Sequence, residues 1–189
     1  MTTVVGYARA GAVAIASDTA MSLGNRPILG SKKLFRLGAG SSEVLLGFCG
    51  AGAGGTLLRK GWPDLGLSAP SKTDAASLQD FAEDVAIAVT KLYVDAGIVE
   101  DGRMDGNLLL AFRGGLWTVS HHQAMFHEDG MASIGTGDDL ALGALIAMLK
   151  LKGYSDTAPI EDLVRISCES AIEFDSFSGG TVDVEVLAS

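Results

Sequence analysis

The chain has 189 residues, 48% of them hydrophobic, and a formal net charge of −9 from 14 basic and 23 acidic residues. This length predicts one domain spanning residues 1–189, and the apolar fraction excludes an intrinsically disordered chain. The negative charge argues against nucleic acid and anionic membrane surfaces as partners, because both repel an acidic protein. The two cysteines are too few for a disulfide framework, so we expect reduced thiols. No apolar run is long enough for a membrane span, and the mean hydropathy of +0.31 indicates a surface partly covered by other subunits.

The first 20 residues favour a β-hairpin over a secretory signal. The basic Arg9 lies in the middle of the segment, and two glycines interrupt the apolar stretch, which is a poor signal pattern. Thr3–Arg9 and Ala12–Ser17 instead read as two strands, with Ala10-Gly11 as the turn between them.

Residues 22–71 alternate between short elements and breaks. Ser22–Ser31 is rich in glycine, asparagine and proline and predicts a loop. Lys32–Leu37 and Val44–Phe48 predict a second hairpin. The glycine-rich run Gly50–Gly55 opens a brief helix, and Gly61–Ser71 predicts another loop.

A long helix comes next, followed by a third hairpin. Apolar residues recur every three or four positions after a capping residue, Thr73 or Asp74, until Gly97 stops the helix. Leu108–Phe112 and Leu116–Ser120 flank a Gly-Gly turn, and Met131–Ile134 is a further strand.

Two helices and one strand complete the chain. Asp138–Leu151 is apolar on all sides and predicts a helix buried all round. The helix after Pro159 is amphipathic, and Thr181–Leu187 predicts a closing strand. Its apolar face comprises Ile160, Leu163, Val164, Ser167, Cys168 and Ala171. Strands grouped at both ends with helices in pairs predict a two-sheet sandwich with helices on its outer faces.

Thr2 is the most informative position for chemistry. If Met1 is removed, the chain begins with threonine, whose hydroxyl can attack a carbonyl while its own α-amine takes the proton. Asp18 ends the strand paired with the one that follows Thr2, and Lys33 begins the next strand. A lysine at that place would lower the pKa of the amine and stabilise a threonine alkoxide. Without further support, a turn aspartate and a solvated lysine pair remain the simpler interpretation.

Six segments, in this order, resemble the N-terminal-nucleophile threonine peptidases, namely the proteasome β subunits and the HslV-type bacterial peptidase. The segments are Thr2–Gly6, Ala14–Asp18, Gly30–Leu34, Leu46–Gly50, Ile134–Gly137 and Asp175–Gly180. The resemblance implies an α+β protein with the four-layer αββα sandwich of the N-terminal nucleophile hydrolases. It also implies a threonine endopeptidase that forms an acyl-enzyme on Thr2.

The resemblance assigns the catalytic roles residue by residue. Asp18 and Lys33 would tune and orient Thr2, and the backbone amide of Gly50 would face the oxyanion. Asp175 and Ser178 would hydrogen-bond near the freed amine and help to move its proton.

The same resemblance implies a substrate-binding set. Ser22 would pair with the substrate backbone, while Met21 and Phe48 would line the pocket for the residue before the cut. Gly52, in the glycine-rich run, would let a peptide approach the backbone closely.

The sequence also departs from the family pattern. Thr136 replaces the usual serine and keeps a hydroxyl for proton shuttling, whereas Thr19 and Ala20 stand where proteasome subunits usually carry arginine. With no propeptide expected beyond Met1, the start is like HslV, whereas the segment from Asp175 is like the proteasome. This mixture indicates a divergent bacterial or phage-encoded homologue.

The implied setting is a cytoplasmic homo-oligomer of stacked rings that degrades unfolded polypeptide, with an ATP-driven unfoldase or an α-type ring as a possible gatekeeper. No cofactor is implied, and His121, His122 and His127 cluster too loosely for a metal site. Cys49 is expected to be a small core residue. Two alternatives stay open, namely an amidase of the same chemistry acting on small molecules, and a catalytically silent ring subunit that retains Met1.

Overall fold

Two antiparallel sheets stacked face to face form the centre of the structure, a computed structural model that describes residues 2–23, 26–101, 103–151 and 157–188. In spatial order the first sheet contains β12 (Met131–Gly135), β1 (Thr3–Arg9), β2 (Ala12–Asp18) and β13 (Val182–Leu187). The second contains β11 (Gln123–Phe126), β10 (Gly115–Ser120), β9 (Gly106–Phe112), β6 (Val44–Gly50) and β5 (Leu34–Leu37).

In the part of the chain that the structure describes, four α-helices cover the outer faces of the two sheets. The helices α1 (Gly52–Gly61) and α2 (Ala75–Asp95) pack on the second sheet, whereas α3 (Asp138–Leu149) and α4 (Ile160–Ile172) pack on the first. One apolar layer fills the space between the sheets, and one lies under each helix pair. The expected four-layer αββα sandwich is confirmed.

Local sequence signals explain most element boundaries. The turn between β1 and β2 has positive φ at both Ala10 and Gly11, the combination that a tight two-residue hairpin needs. Asp74 caps α2 by accepting a hydrogen bond from the Ser77 N–H. The buried face of α4 contains the same six residues that the sequence pattern predicts.

Several predicted boundaries are wrong. The Ser22–Ser31 segment, expected to be a loop, contains the short paired strands β3 (Met21–Leu23) and β4 (Arg26–Ile28). The strand β11 and the two-residue pair β7 (Val99–Glu100) and β8 (Arg103–Met104) were not expected at all. These segments are too short for a period-two pattern to be recognised.

The helix α3 is not buried all round in the single chain. Only Ala141 and Leu145 are buried, and Leu140 is 43% exposed. The reason is that α3 packs on α4 and the first sheet along one side only. Among the described residues, no helix is both long and apolar enough to cross a membrane.

The two sheets lie close together at Gly47 of β6. A Cβ atom at this position would lie 2.5 Å from Val4 Cγ1 and 3.2 Å from Ile15 Cγ2, in the layer between the sheets. The absence of a side chain at position 47 therefore sets the spacing of the sheets beneath the start of β1.

Gly47→Ala should lower the free energy of unfolding by about 1–3 kcal/mol, because the added methyl overpacks the layer between the sheets. Denaturant titration measures this change. Gly143→Ala is the matched control, since no heavy atom lies within 4 Å of its added Cβ on α3, and it should stabilise the helix by about 0.5–1 kcal/mol. Equal effects of the two substitutions would contradict the close packing at Gly47.

Candidate active site

Thr2 lies directly before β1 and is held by the end of β12. Its carbonyl accepts a hydrogen bond of 2.8 Å from the Thr136 N–H, and Thr3 pairs with Gly135. Thr2 is only 4% exposed. Thr2 is therefore buried and held against the end of β12.

Asp18, at the end of β2, is the most highly bonded side chain near Thr2. Its Oδ1 accepts from Lys33 Nζ at 2.5 Å and from the Thr3 N–H at 2.9 Å. Its Oδ2 accepts from the N–H groups of Ala20 at 3.2 Å and Gly179 at 3.1 Å. The carboxylate is fully buried, and these four donors replace the water that it loses.

Lys33 is a buried cation beside the start of β1. It is 5% exposed, and its ammonium forms an ion pair with Asp18. Burial lowers the pKa of Lys33, and the hydrogen bond and charge of Asp18 oppose this shift only in part. Because Asp18 Oδ1 binds both the ammonium and the Thr3 N–H, the lysine is positioned next to the backbone that follows Thr2.

A second set of hydrogen bonds leads away from the Thr2 nitrogen. This nitrogen lies 3.3 Å from Thr136 Oγ1, which donates to Asp175 Oδ2 at 2.7 Å. Asp175 Oδ2 also accepts a hydrogen bond from Ser178 Oγ at 2.5 Å, and Ser178 Oγ is 2.7 Å from Thr3 Oγ1. The Thr136 hydroxyl thus connects the position of the α-amine to the Asp175 carboxylate, and the Ser178 hydroxyl connects the same carboxylate to Thr3.

The hydrogen bonds around Asp175 change its acidity. Its partial burial raises the pKa, but the hydrogen bonds from Ser178 and Thr136 outweigh this effect and hold the pKa of Asp175 below its ordinary value of 3.8. The carboxylate is therefore ionised at neutral pH and available as an acceptor for the hydroxyl of Thr136.

A cavity of about 670 Å³ opens in front of Thr2. Its lining brings together six of the residues singled out from the sequence, which are Thr2, Met21, Lys33, Phe48, Gly50 and Gly52. Thr136, Asp175 and Ser178 lie behind Thr2 and do not line it. The backbone of Ser22 belongs to β3, but its side chain and Met1 lie outside the described residues.

Gly50, the last residue of β6, occupies a position that only glycine tolerates. Its φ is +135°, and a Cβ would lie 2.6 Å from the Asp105 carbonyl oxygen. The helix α1 begins two residues later, at Gly52, with no side-chain cap and no acidic residue in its first turn. The positive end of the helix dipole thus faces the same cavity.

Thr19 and Ala20, where arginine was expected from the family pattern, join the site in other ways. Thr19 Oγ1 accepts from the Thr181 N–H at 2.9 Å, and the Ala20 N–H donates to Asp18. The departure from the pattern therefore leaves hydrogen bonds that tie the end of β2 to the segment before β13.

Sequence reasoning missed several residues of the site. Thr3 contacts Ser178 through its hydroxyl, and the cavity wall also includes Lys32, Phe35 and Arg59. Arg59 follows Gly52 by seven positions, which is two helical turns, so the helix period could have placed both on one face. No local sequence signal predicts the hydrogen bond from the Gly179 N–H to Asp18, because the two residues are 161 positions apart.

The histidines lie outside the cavity lining, whereas the Cys168 thiol donates to the Thr3 carbonyl oxygen at 3.9 Å without lining the cavity. The ring centres of His121 and His122 are 4.6 Å apart, and His127 Nε2 is 2.8 Å from Thr118 Oγ1. Within the described ranges there is no group of three or more potential metal-binding side chains. Burial raises the pKa of the Cys49 thiol, which keeps it protonated and unreactive.

Comparison with curated proteins identifies a bacterial relative over nearly the whole chain. The ATP-dependent protease subunit HslV of Chlorobium luteolum is 29% identical over 195 residues, an alignment that covers 97% of this chain and 93% of the relative. No protein-family model matches the chain.

Solved structures share the fold at lower identity. Thiobacillus denitrificans BPH in complex with epoxomicin superposes with a TM-score of 0.79 at 20% identity, covering 99% of this chain and 98% of that one. The eukaryotic HslV from Trypanosoma brucei gives 0.71 at 22% identity with full coverage of both chains. Anbu from Yersinia bercovieri gives 0.69 at 18% identity, with 99% of this chain and 82% of that chain covered.

Asp175→Asn should remove a pH-dependent part of the stability. Since the folded-state pKa of Asp175 is below 3.8, its contribution is fully present above about pH 4 and is lost as the pH falls through the lowered value. The difference in Tm between the two proteins should therefore shrink on acidification, as measured by thermal melts at several pH values.

Asp84→Asn is the control for the acid melts, because Asp84 is exposed on α2 and its side chain forms no hydrogen bond or ion pair with any described residue. A Tm difference for Asp175→Asn that is as large at the lowest pH as at neutral pH would contradict the role given to its two hydroxyl donors.

Proposed function

We propose that the chain, a homologue of the HslV-type proteasome β subunits, is a threonine endopeptidase with Thr2 as its N-terminal nucleophile. The observation that carries the proposal is the meeting of two hydrogen-bonded sets at Thr2. One set leads from its nitrogen to Asp175, and the other joins its neighbour Thr3 to Asp18 and Lys33.

Removal of Met1 would make the Thr2 nitrogen a free amine with an ordinary pKa of about 7.7–8.0. This amine takes the proton of the Thr2 hydroxyl as the oxygen attacks the substrate carbonyl. The positive charge of Lys33 stabilises the developing alkoxide and lowers the pKa of the amine. Thr136 Oγ1 accepts a hydrogen bond from the amine and is itself oriented by Asp175.

The Gly50 backbone amide is assigned to the oxyanion of the tetrahedral intermediate, since Gly50 lines the cavity beside Thr2. When the intermediate collapses, the peptide C–N bond breaks, and the protonated α-amine gives its proton to the leaving nitrogen. The acyl group remains on Thr2 as an ester. Water, deprotonated by the same amine, then attacks the ester and releases an acid and free Thr2.

The substrate assigned to this site is unfolded polypeptide. Met21, Phe48 and Gly52 line the cavity into which a side chain would enter, and the strand β3 that contains Ser22 lies at its edge. An extended peptide can bind beside such a strand through backbone hydrogen bonds.

The proposed setting is a cytoplasmic homo-oligomer of stacked rings fed by an ATP-dependent unfoldase or an α-type ring. The name of the Chlorobium relative describes a subunit of an ATP-dependent protease. Apolar side chains support an assembly, because Leu151 is 59% exposed and Phe174 is 80% exposed in the single chain. The apolar α3, buried on one side only, supports it as well.

Thr2→Ala should lower the cleavage of fluorogenic peptides by roughly 10³-fold or more, because it removes the attacking oxygen. Thr2→Ser keeps the hydroxyl and should retain measurable activity. Size-exclusion chromatography of all three proteins checks that assembly is unchanged.

Intact-mass spectrometry of the native protein accompanies this comparison. The proposal requires a mass without Met1, since a retained methionine leaves no free amine to act as base. A retained Met1 with no cleavage would favour the silent ring subunit. Activity that depends on Thr2 but acts only on small amides would favour the amidase.

Lys33→Met should lower kcat/KM by about 10²–10³-fold, because the oxyanion and alkoxide lose a nearby positive charge. The acidic limb of the pH–rate profile should also move to higher pH, since the amine loses the like charge that lowers its pKa. A purely structural lysine would change stability without moving that limb. Lys60→Met, an exposed substitution on α1 outside the cavity lining, is the control.

A further inference from the structure

The charged side chains that line the cavity all have the same sign. They are Lys32, Lys33 and Arg59, and no aspartate or glutamate is among the described residues of the lining. The chain as a whole has a net charge of −9. The cavity in front of Thr2 is therefore a positive region in an acidic protein.

Two of these cations are not neutralised by a neighbour. Lys33 is paired with Asp18, but Lys32 and Arg59 are exposed and form no ion pair or hydrogen bond with any described side chain. Their charges are thus available to a ligand at the rim of the cavity.

The helix α1 explains how Arg59 reaches the cavity. Gly52, Thr56 and Arg59 line it and are spaced four and three residues apart, so they share one face of the helix. Arg59 lies seven residues after Gly52, about 10 Å along the axis. It therefore stands at the far end of the cavity wall from Gly50.

The floor of the same cavity is apolar and closely packed. Phe35, Phe48 and Met21 form it. A Cβ on Gly52 would lie 2.7 Å from Met21 Sδ, and one on Gly55 would lie 3.0 Å from Phe35 Cζ, so the α1 wall rests directly on this floor. An apolar floor with a cationic rim suits a side chain that has methylene groups below a carboxylate.

We propose that Lys32 and Arg59 are specificity-determining residues that select an acidic side chain, glutamate above all, immediately before the bond that Thr2 attacks. This inference rests on the proposed peptidase function, since the cavity is the one that Thr2 opens into. Arg59 binds the carboxylate through its guanidinium, and Lys32 adds a second positive charge to the cavity wall.

Two fluorogenic peptides that differ only in Glu or Gln before the reporter group test the inference. The native protein should cleave the glutamate peptide with a kcat/KM roughly three to ten times higher, the range that partly exposed ion pairs allow. Because the two side chains have nearly the same shape, this ratio isolates the charge. It should fall as NaCl is raised, since salt screens exposed charges.

Arg59→Gln and Lys32→Gln should each lower the Glu/Gln ratio, and the double variant should bring it to about one. Lys60→Gln is the matched control, because it removes a neighbouring charge of α1 that does not line the cavity. A ratio of one or less in the native protein, or a ratio that the double variant leaves unchanged, overturns the inference while the peptidase function stands.

A binding measurement separates the inference from the proposed function. Dye-labelled, C-terminally amidated peptides ending in Glu or Gln are titrated onto the Thr2→Ala protein, and fluorescence anisotropy gives their Kd values. If the native protein cleaves neither peptide, the proposed function fails. Tighter binding of the glutamate peptide that requires Arg59 would still support acidic recognition, and equal binding would overturn it.

Discussion

The buried carboxylate of Asp18 is the constraint on which the site depends. Each of its oxygens accepts two hydrogen bonds, and the four donors come from four different segments of the chain. An amide at this position would direct its own N–H groups at two backbone donors, so only a carboxylate satisfies the arrangement. The four hydrogen bonds thus offset the desolvation of the Asp18 carboxylate. They also hold Thr3, Ala20, Lys33 and Gly179 around a single point.

This point also joins the two functional halves of the site. Gly179, which donates to Asp18, directly follows Ser178, which donates to Asp175. The segment that contains Ser178 and Gly179 therefore cannot move relative to the Asp18–Lys33 ion pair without breaking the hydrogen bond from Gly179 to Asp18. The bond between Thr19 and Thr181 holds the next residues of the same two segments. These hydrogen bonds together fix the position of Thr3, and therefore of Thr2 directly before it.

The sequence predicted elements whose signal is local and missed those whose cause is distant. Hairpin turns and the six-residue face of α4 followed from glycine positions and helical periodicity. The site did not, since Thr2 and Thr136 are 134 positions apart and meet only through the register of β1 with β12. Their roles came from a family resemblance. The exposure of α3 was mispredicted because an apolar composition alone does not distinguish a helix buried in the core from one with a side on the surface.

The charge of the molecule acts on two length scales. At a distance, the net charge of −9 repels acidic polypeptides, but salt at physiological strength screens this repulsion beyond about 8 Å. Within the cavity the walls exclude part of the solvent, so Lys32, Lys33 and Arg59 determine the local potential. Under the proposed peptidase function, hydrolysis would also create a new carboxylate beside Lys33, so this potential would act on the departing product as well. The positive cavity therefore favours acidic side chains that are already in contact with it, and it does not help the protein to attract acidic polypeptides from a distance.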